Sequence, residues 1–154
     1  MKQEMKEKIN FLEGRLSMTE YVIDASVVLE WVKSSEMTQK SVINLQEEIV
    51  DGKIIIHAPS FLLVEVLNVL SRKYRHGKGE TEAFLKFLLQ FPIRYIDTQS
   101  DSVFSLLDLV YRYELSGYDA LYLATAQSKK CRLISLDKKL LQVKDWVIHP
   151  QIVV

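Results

Sequence analysis

Short apolar runs alternate along the chain with longer segments whose apolar residues recur every three or four positions. Tyr21-Val-Ile-Asp24, Lys53-Ile-Ile-Ile-His57, Arg94-Tyr-Ile-Asp97, Arg132-Leu-Ile-Ser135 and Trp146-Val-Ile-His149 are four or five residues long and rich in β-branched and aromatic side chains, which predicts five strands. The intervening segments predict helices: one starting over Val27 to Lys33, one from Gln39 to Val50 closed by Asp51-Gly52, and one opened by Ala58-Pro59-Ser60 and running through Tyr74. Further helices are predicted over Glu80 to Gln90 before Pro92, Asp101 to Glu114, Tyr118 to Lys130, and Lys138 to Gln142. Strands this short and this apolar, separated by one or two helices, imply an α/β fold: a three-layer α/β/α sandwich around a parallel sheet of about five strands.

The first 17 residues differ from the rest. Met5, Ile9, Leu12 and Leu16 make one narrow apolar stripe on an otherwise charged helix, Gly14 weakens that helix, and Met18 is a second candidate initiator. The expected organisation is therefore a helical appendage over residues 1–17 and a single domain over residues 18–154, with no internal repeat or linker.

Composition narrows the picture. Twenty Lys and Arg balance twenty Asp and Glu, which excludes a uniformly basic polyanion binder but not a local nucleic-acid contact, because binding follows where charge sits. Cys131 is the only cysteine, so neither an intrachain disulfide nor a thiolate zinc cage is available, and a reducing compartment is expected. No run approaches the ~20 apolar residues of a membrane-spanning helix, and the N-terminus lacks a signal-peptide core. These features predict a soluble cytoplasmic protein.

Ligands of open parallel sheets bind beyond the carboxyl ends of the strands. Asp24 and Asp97 end the first and third predicted strands, Asp137 follows the fourth, Asp119 stands in the first turn of a helix, and Glu65 in the second turn of another. Each has an ordinary structural explanation. Ser116-Gly-Tyr-Asp119 matches a helix capping box, and Asp24 and Asp137 are suitable N-caps. Glu65 and Asn68 are the only polar side chains between Phe61 and Leu70; with Arg72 they form either a solvent stripe or a partnered polar site on a buried helix. Taken together, carboxylates without a cysteine or histidine cluster suit a hard cation such as Mg²⁺ or Mn²⁺. His57, His76 and His149 lack metal-ligand spacing, and no phosphate loop, nucleophile elbow or HExxH motif is present.

Four segments in order, Tyr-Val-Ile-Asp24-Ala-Ser26, Ala-Pro-Ser-Phe-Leu-Leu-Val-Glu65-Val-Leu-Asn68, Gly-Tyr-Asp119-Ala-Leu-Tyr-Leu-Ala-Thr-Ala126 and Leu-Ile-Ser135-Leu-Asp137, resemble the motifs of PIN-domain ribonucleases, most closely the VapC-type toxins. The resemblance implies a divalent-metal-dependent ribonuclease in which Asp24, Glu65, Asp119 and Asp137 hold Mg²⁺ or Mn²⁺ and carry catalysis. It implies a small antitoxin as partner, RNA as substrate and a homodimer. Ser135 stands where the family often has Thr and keeps the hydroxyl, and residues 1–17 lie outside the pattern. Within the family the alternatives are a non-catalytic binding module and a housekeeping RNA-processing nuclease. An aspartyl-phosphate mechanism would need a second acid after the first strand, and Asp24-Ala-Ser26 has none. Lys129, Lys130, Arg132, Lys138 and Lys139 are expected to cluster near Asp137, with Lys138 and Lys139 as candidate phosphate contacts, whereas Arg72, Lys73, Arg75 and Lys78 read as a solvated helix end.

Overall fold

A computed structural model describes residues 2–7, 18–34 and 36–153. Five strands, β1 (Thr19–Ile23), β2 (Ile54–Pro59), β3 (Ile93–Ile96), β4 (Arg132–Ile134) and β5 (Val147–Ile148), form one sheet in the order β3-β2-β1-β4-β5. Every pairing is parallel, with Val22 level with His57 on one side and Leu133 on the other. Val22 and Ile23, like Leu133 and Ile134, are fully buried neighbours. Successive strand residues face opposite sides of the sheet, so both faces are covered, as the near-continuous apolar runs demanded.

The covering helices are α1 (Ala25–Val28), α2 (Lys40–Val50), α3 (Phe61–Asn68), α4 (Lys78–Gln90), α5 (Val103–Tyr113), α6 (Gly117–Ser128) and a short α7 (Pro150–Val153). Helix α6 lies across β1, β2 and β4 and buries Ala120, Tyr122, Leu123, Thr125 and Ala126, while α2 packs on β2 and α7, and α3 on α4. The architecture is the expected three-layer sandwich. The chain builds β2 and β3 to one side of β1 and then crosses to place β4 on the other, so the strand order reverses between β1 and β4. A cleft opens at such a switch point, beyond the carboxyl ends of the two strands.

Several boundaries depart from the sequence expectation for identifiable reasons. The helix expected through Tyr74 is regular only to Asn68. It then widens into a π turn over Val69–Lys73, with Tyr74 N–H donating to Val69 and His76 N–H to Leu70, and Arg75 turns left-handed at φ 54°. The segment after Asp24 is one helical turn that tightens into a 3₁₀ turn at Leu29–Val32. Helix α5 ends at Glu114, which is left-handed at φ 53°. Residues 2–7 are helical and Met5 is exposed; Ile9, Leu12 and Leu16, the rest of the N-terminal stripe, lie outside the described residues. No described helix is long and apolar enough to cross a membrane.

Candidate active site

Asp24 leaves β1 at the switch point. Its backbone N–H still donates to Ile134 of β4 at 3.3 Å, while its side chain caps the turn that follows by accepting from Val27 N–H at 3.4 Å. Two hydroxyls hold the carboxylate: Ser26 donates to Oδ1 at 2.5 Å, and Ser135, at the end of β4, donates to Oδ2. The serines are themselves fixed by backbone, since Leu136 N–H donates to Ser26 Oγ at 2.9 Å and Asp137 N–H to Ser135 Oγ at 3.0 Å. Asp24 is 4 % exposed. Burial pushes its carboxyl up to about 7 against the pull of the Ser135 and Ser26 hydroxyls and the Val27 amide, and the neighbouring charge of Glu65 adds to the rise.

Glu65 projects from α3 and is half-buried. Tyr122 of α6, 1 % exposed, donates its hydroxyl to Glu65 Oε2 at 2.5 Å. Burial raises the Glu65 carboxyl, the Tyr122 bond opposes this, and the Asp119 charge adds to the rise. Asp119 sits one helical turn before Tyr122 on α6. Its backbone N–H completes the helix cap on Ser116 Oγ at 3.1 Å. Burial raises its carboxyl, with Ser116 lowering it, Asp137 raising it and Lys139 lowering it. Asp137 caps the 3₁₀ turn at Leu140–Gln142 by accepting from Lys139 and Leu140 N–H at 2.9 and 3.0 Å, both on Oδ1.

The capping roles anticipated for Asp24 and Asp137 are therefore present, and Ser116 caps α6 through the Asp119 backbone. They coexist with a shared environment: Asp24 feels Glu65, Glu65 feels Asp119, and Asp119 feels Asp137. Four elements thus bring like charges within electrostatic reach of one another at one edge of the sheet, an arrangement that raises the energy of each ionised group. A hard divalent cation matches this donor set, which consists entirely of oxygens and carries the excess negative charge that such an ion offsets. Among the described residues, no three His, Cys, Asp or Glu side chains gather into a cluster tight enough to enclose an ion. Mg²⁺ commonly keeps several of its waters and takes only one or two carboxylates directly.

Other sequence candidates fall elsewhere. Asp97 is exposed and accepts from the Ser60 hydroxyl, which joins the end of β3 to the start of α3. The five basic residues expected near Asp137 are divided. Lys138 and Lys139 follow the carboxyl end of β4, and Lys139 acts on Asp119, whereas Lys129, Lys130 and Arg132 stand at the amino end of β4 on the opposite edge of the sheet. The parallel direction of β4 makes that separation unavoidable. Tyr122 was the omission. It lies three residues after Asp119 and so on nearly the same helical face, the one hydroxyl-bearing aromatic on a buried stretch, where a polar tip requires a partner.

The PIN domain family model matches residues 21–145. The chain belongs to the PIN domain family. The match spans the whole of this PIN domain's sheet except the first two residues of β1 and the last strand. Solved structures share its fold at low identity. The Mycobacterium tuberculosis VapC20 sarcin-ricin loop cleaving toxin is 16 % identical with a TM-score of 0.65, the alignment covering 80 % of this chain and 94 % of that one. VapBC2 from Rickettsia felis, bound to a DNA fragment from their promoter, is 16 % identical with a TM-score of 0.65, covering 85 % and 98 %. A toxin-antitoxin complex from Klebsiella pneumoniae is 19 % identical with a TM-score of 0.62, covering 84 % and 97 %. No curated protein matches this chain at the sequence level.

Proposed function

We propose that the chain is a divalent-metal-dependent ribonuclease that hydrolyses phosphodiester bonds of RNA and acts as the toxin of a toxin–antitoxin pair. The observation that carries this reading is the convergence of Asp24, Glu65, Asp119 and Asp137 at the carboxyl edge of β1 and β4, each of the first three with a carboxyl raised by burial and crowded by a neighbour's charge. Membership of the PIN domain family and the fold shared with VapC-type structures support it. The toxin-antitoxin complexes among those structures support a small antitoxin as partner; assembly as a homodimer belongs to the same proposal.

Asp24, Glu65, Asp119 and Asp137 are the residues that would hold Mg²⁺ or Mn²⁺, which when bound lowers the pKa of a coordinated water and offsets charge developing on the phosphate. Ser26 and Ser135 keep the Asp24 carboxylate in one orientation. Tyr122 does the same for Glu65 from the opposite helix. Lys139, close enough to lower the Asp119 carboxyl, adds positive charge where a phosphate would enter, with Lys138 beside it.

Incubation of the purified chain with single-stranded RNA and Mg²⁺ is expected to give cleavage that EDTA abolishes and Mn²⁺ restores. Cleavage that persists in EDTA, or none with any divalent ion, would defeat the proposal. Tyr122→Phe keeps the buried ring and removes only the donor to Glu65. Partners that orient ligands in this way contribute about tenfold or more to metal affinity, so calorimetric titration with Mn²⁺ is expected to show a roughly tenfold weaker ion in the variant. Unchanged affinity would remove Tyr122 from the site.

A further inference from the structure

Two aromatic rings flank the carboxylates and have no part in the chemistry above. Phe61 opens α3 four residues before Glu65, one helical turn away and about 6 Å along the axis. Tyr118 immediately precedes Asp119 in the first turn of α6. Their rings are parallel to within 5° with centroids 5.0 Å apart. The stack ties together the starts of the two helices that deliver Glu65 and Asp119. Phe61 is half-buried, but Tyr118 is 62 % exposed although one face is covered by Phe61. A tyrosine held flat by a stacked neighbour, with its other face in water beside a cluster of acids, contributes little to the core. It does present a preoriented π surface at the mouth of the site.

We propose that the Tyr118 ring, backed by Phe61, is a stacking platform for an unpaired base of RNA next to the phosphodiester bound at the carboxylates. The proposal rests on the ribonuclease reading and adds to it a binding subsite. The stacked geometry selects a flat aromatic occupant. Every nucleobase offers such a face, so this contact holds single-stranded RNA without reading its sequence. Fixing the ring in advance also reduces the rotamer freedom lost when the base docks. Phosphate attraction does not explain the pair, because Tyr118 is uncharged and the side chain next to it is Asp119. The ring therefore supplies what the acidic notch lacks, an affinity for the uncharged part of a nucleotide.

The test compares wild type, Tyr118→Ala and Tyr118→Trp on one single-stranded RNA oligonucleotide, with KM from cleavage in Mg²⁺ and Kd from fluorescence anisotropy in Ca²⁺. Base stacking on an aromatic is strong enough that the Ala variant is expected to raise KM and Kd about tenfold. The Trp variant is expected to stay within about twofold of wild type, and Mn²⁺ affinity should not move in either. An abasic nucleotide moved along the oligonucleotide is expected to erase the wild-type advantage at one position only. Equal RNA affinity for wild type and Tyr118→Ala would overturn the platform, as would a Trp variant as weak as Ala. So would a Tyr118→Ala variant that loses binding to a protein partner while its RNA affinity is intact. If the wild type cuts no RNA, the nuclease reading fails separately, and the anisotropy comparison alone decides whether Tyr118 holds a base.

Discussion

Asp119→Asn is expected to reduce Mg²⁺-dependent RNA cleavage about a thousandfold or more, because it removes one negative charge from a group that acts on Glu65 and is acted on by Asp137. Electrostatic stabilisation at a metal-dependent centre is worth several kcal/mol, and each ~1.4 kcal/mol is tenfold in rate. The substitution is mild for the fold. The cap at the start of α6 runs from the Asp119 backbone N–H to Ser116 Oγ, so the side chain can change without opening the helix. The variant's melting temperature should therefore stay within about 2 °C of wild type, consistent with a partly exposed position. Rates within tenfold of wild type, measured on the same RNA at saturating Mg²⁺, would remove Asp119 from the site. A variant that unfolds would show that its side chain is structural.

Asp24→Asn is expected to abolish cleavage as well, yet to stabilise the metal-free protein at alkaline pH. The folded protein holds the Asp24 proton up to about 7, whereas the unfolded chain releases it near its ordinary 3.8. Between those values the folded state binds more protons than the unfolded state, so stability falls as pH rises and the loss is complete above about 7. Asparagine imitates the neutral form and escapes the penalty. Its amide can donate to, and its oxygen accept from, the Ser26 and Ser135 hydroxyls that now hold the carboxylate. A gain on the order of a few kcal/mol follows from a shift of this size, or roughly 10 °C for a chain of this length. In EDTA at pH 8 the variant should melt higher than wild type, and the gap should close towards pH 4. Added Mg²⁺ should raise the wild type and leave the variant where it was. A variant that melts below wild type in EDTA at pH 8 would contradict this account of Asp24.

The fold was legible because each short strand is apolar on both faces. Val22-Ile23 and Leu133-Ile134, fully buried as adjacent pairs, could only belong to a sheet covered twice over. The shared placement of the four carboxylates was legible for a related reason: Asp24 and Asp137 follow strands, and Asp119 and Glu65 stand in the first and second turns of helices, where direction and topology bring them to one edge. Strand pairing order was not. Nothing local in residues 132–134 says that β4 returns to the far side of β1; the parallel direction of β4, by contrast, already places Lys129, Lys130 and Arg132 at its amino end, away from the site. Tyr122 and Tyr118 stand within a motif but received no role, because α6 is apolar nearly all round and no clear period separates its buried face from its open one. Which of the two is buried, and which lies open, depends on how α6 is turned against α3. The widened turn at Val69–Lys73 was hidden too, since periodicity does not distinguish an α from a π register over five residues.

Asp24 owes its orientation to residues more than a hundred positions later in the chain, through Ser135 and through the Leu136 amide that fixes Ser26. During synthesis the amino-terminal part of the chain emerges first. A ribosome that has made Asp24, Glu65 and Asp119 has still not made the strand that seats the first of them. Incomplete chains therefore carry three of the acids without the β1–β4 junction that aligns them. The seat of Asp24 thus comes into being only when residues 135 and 136 have been added and β4 has docked beside β1.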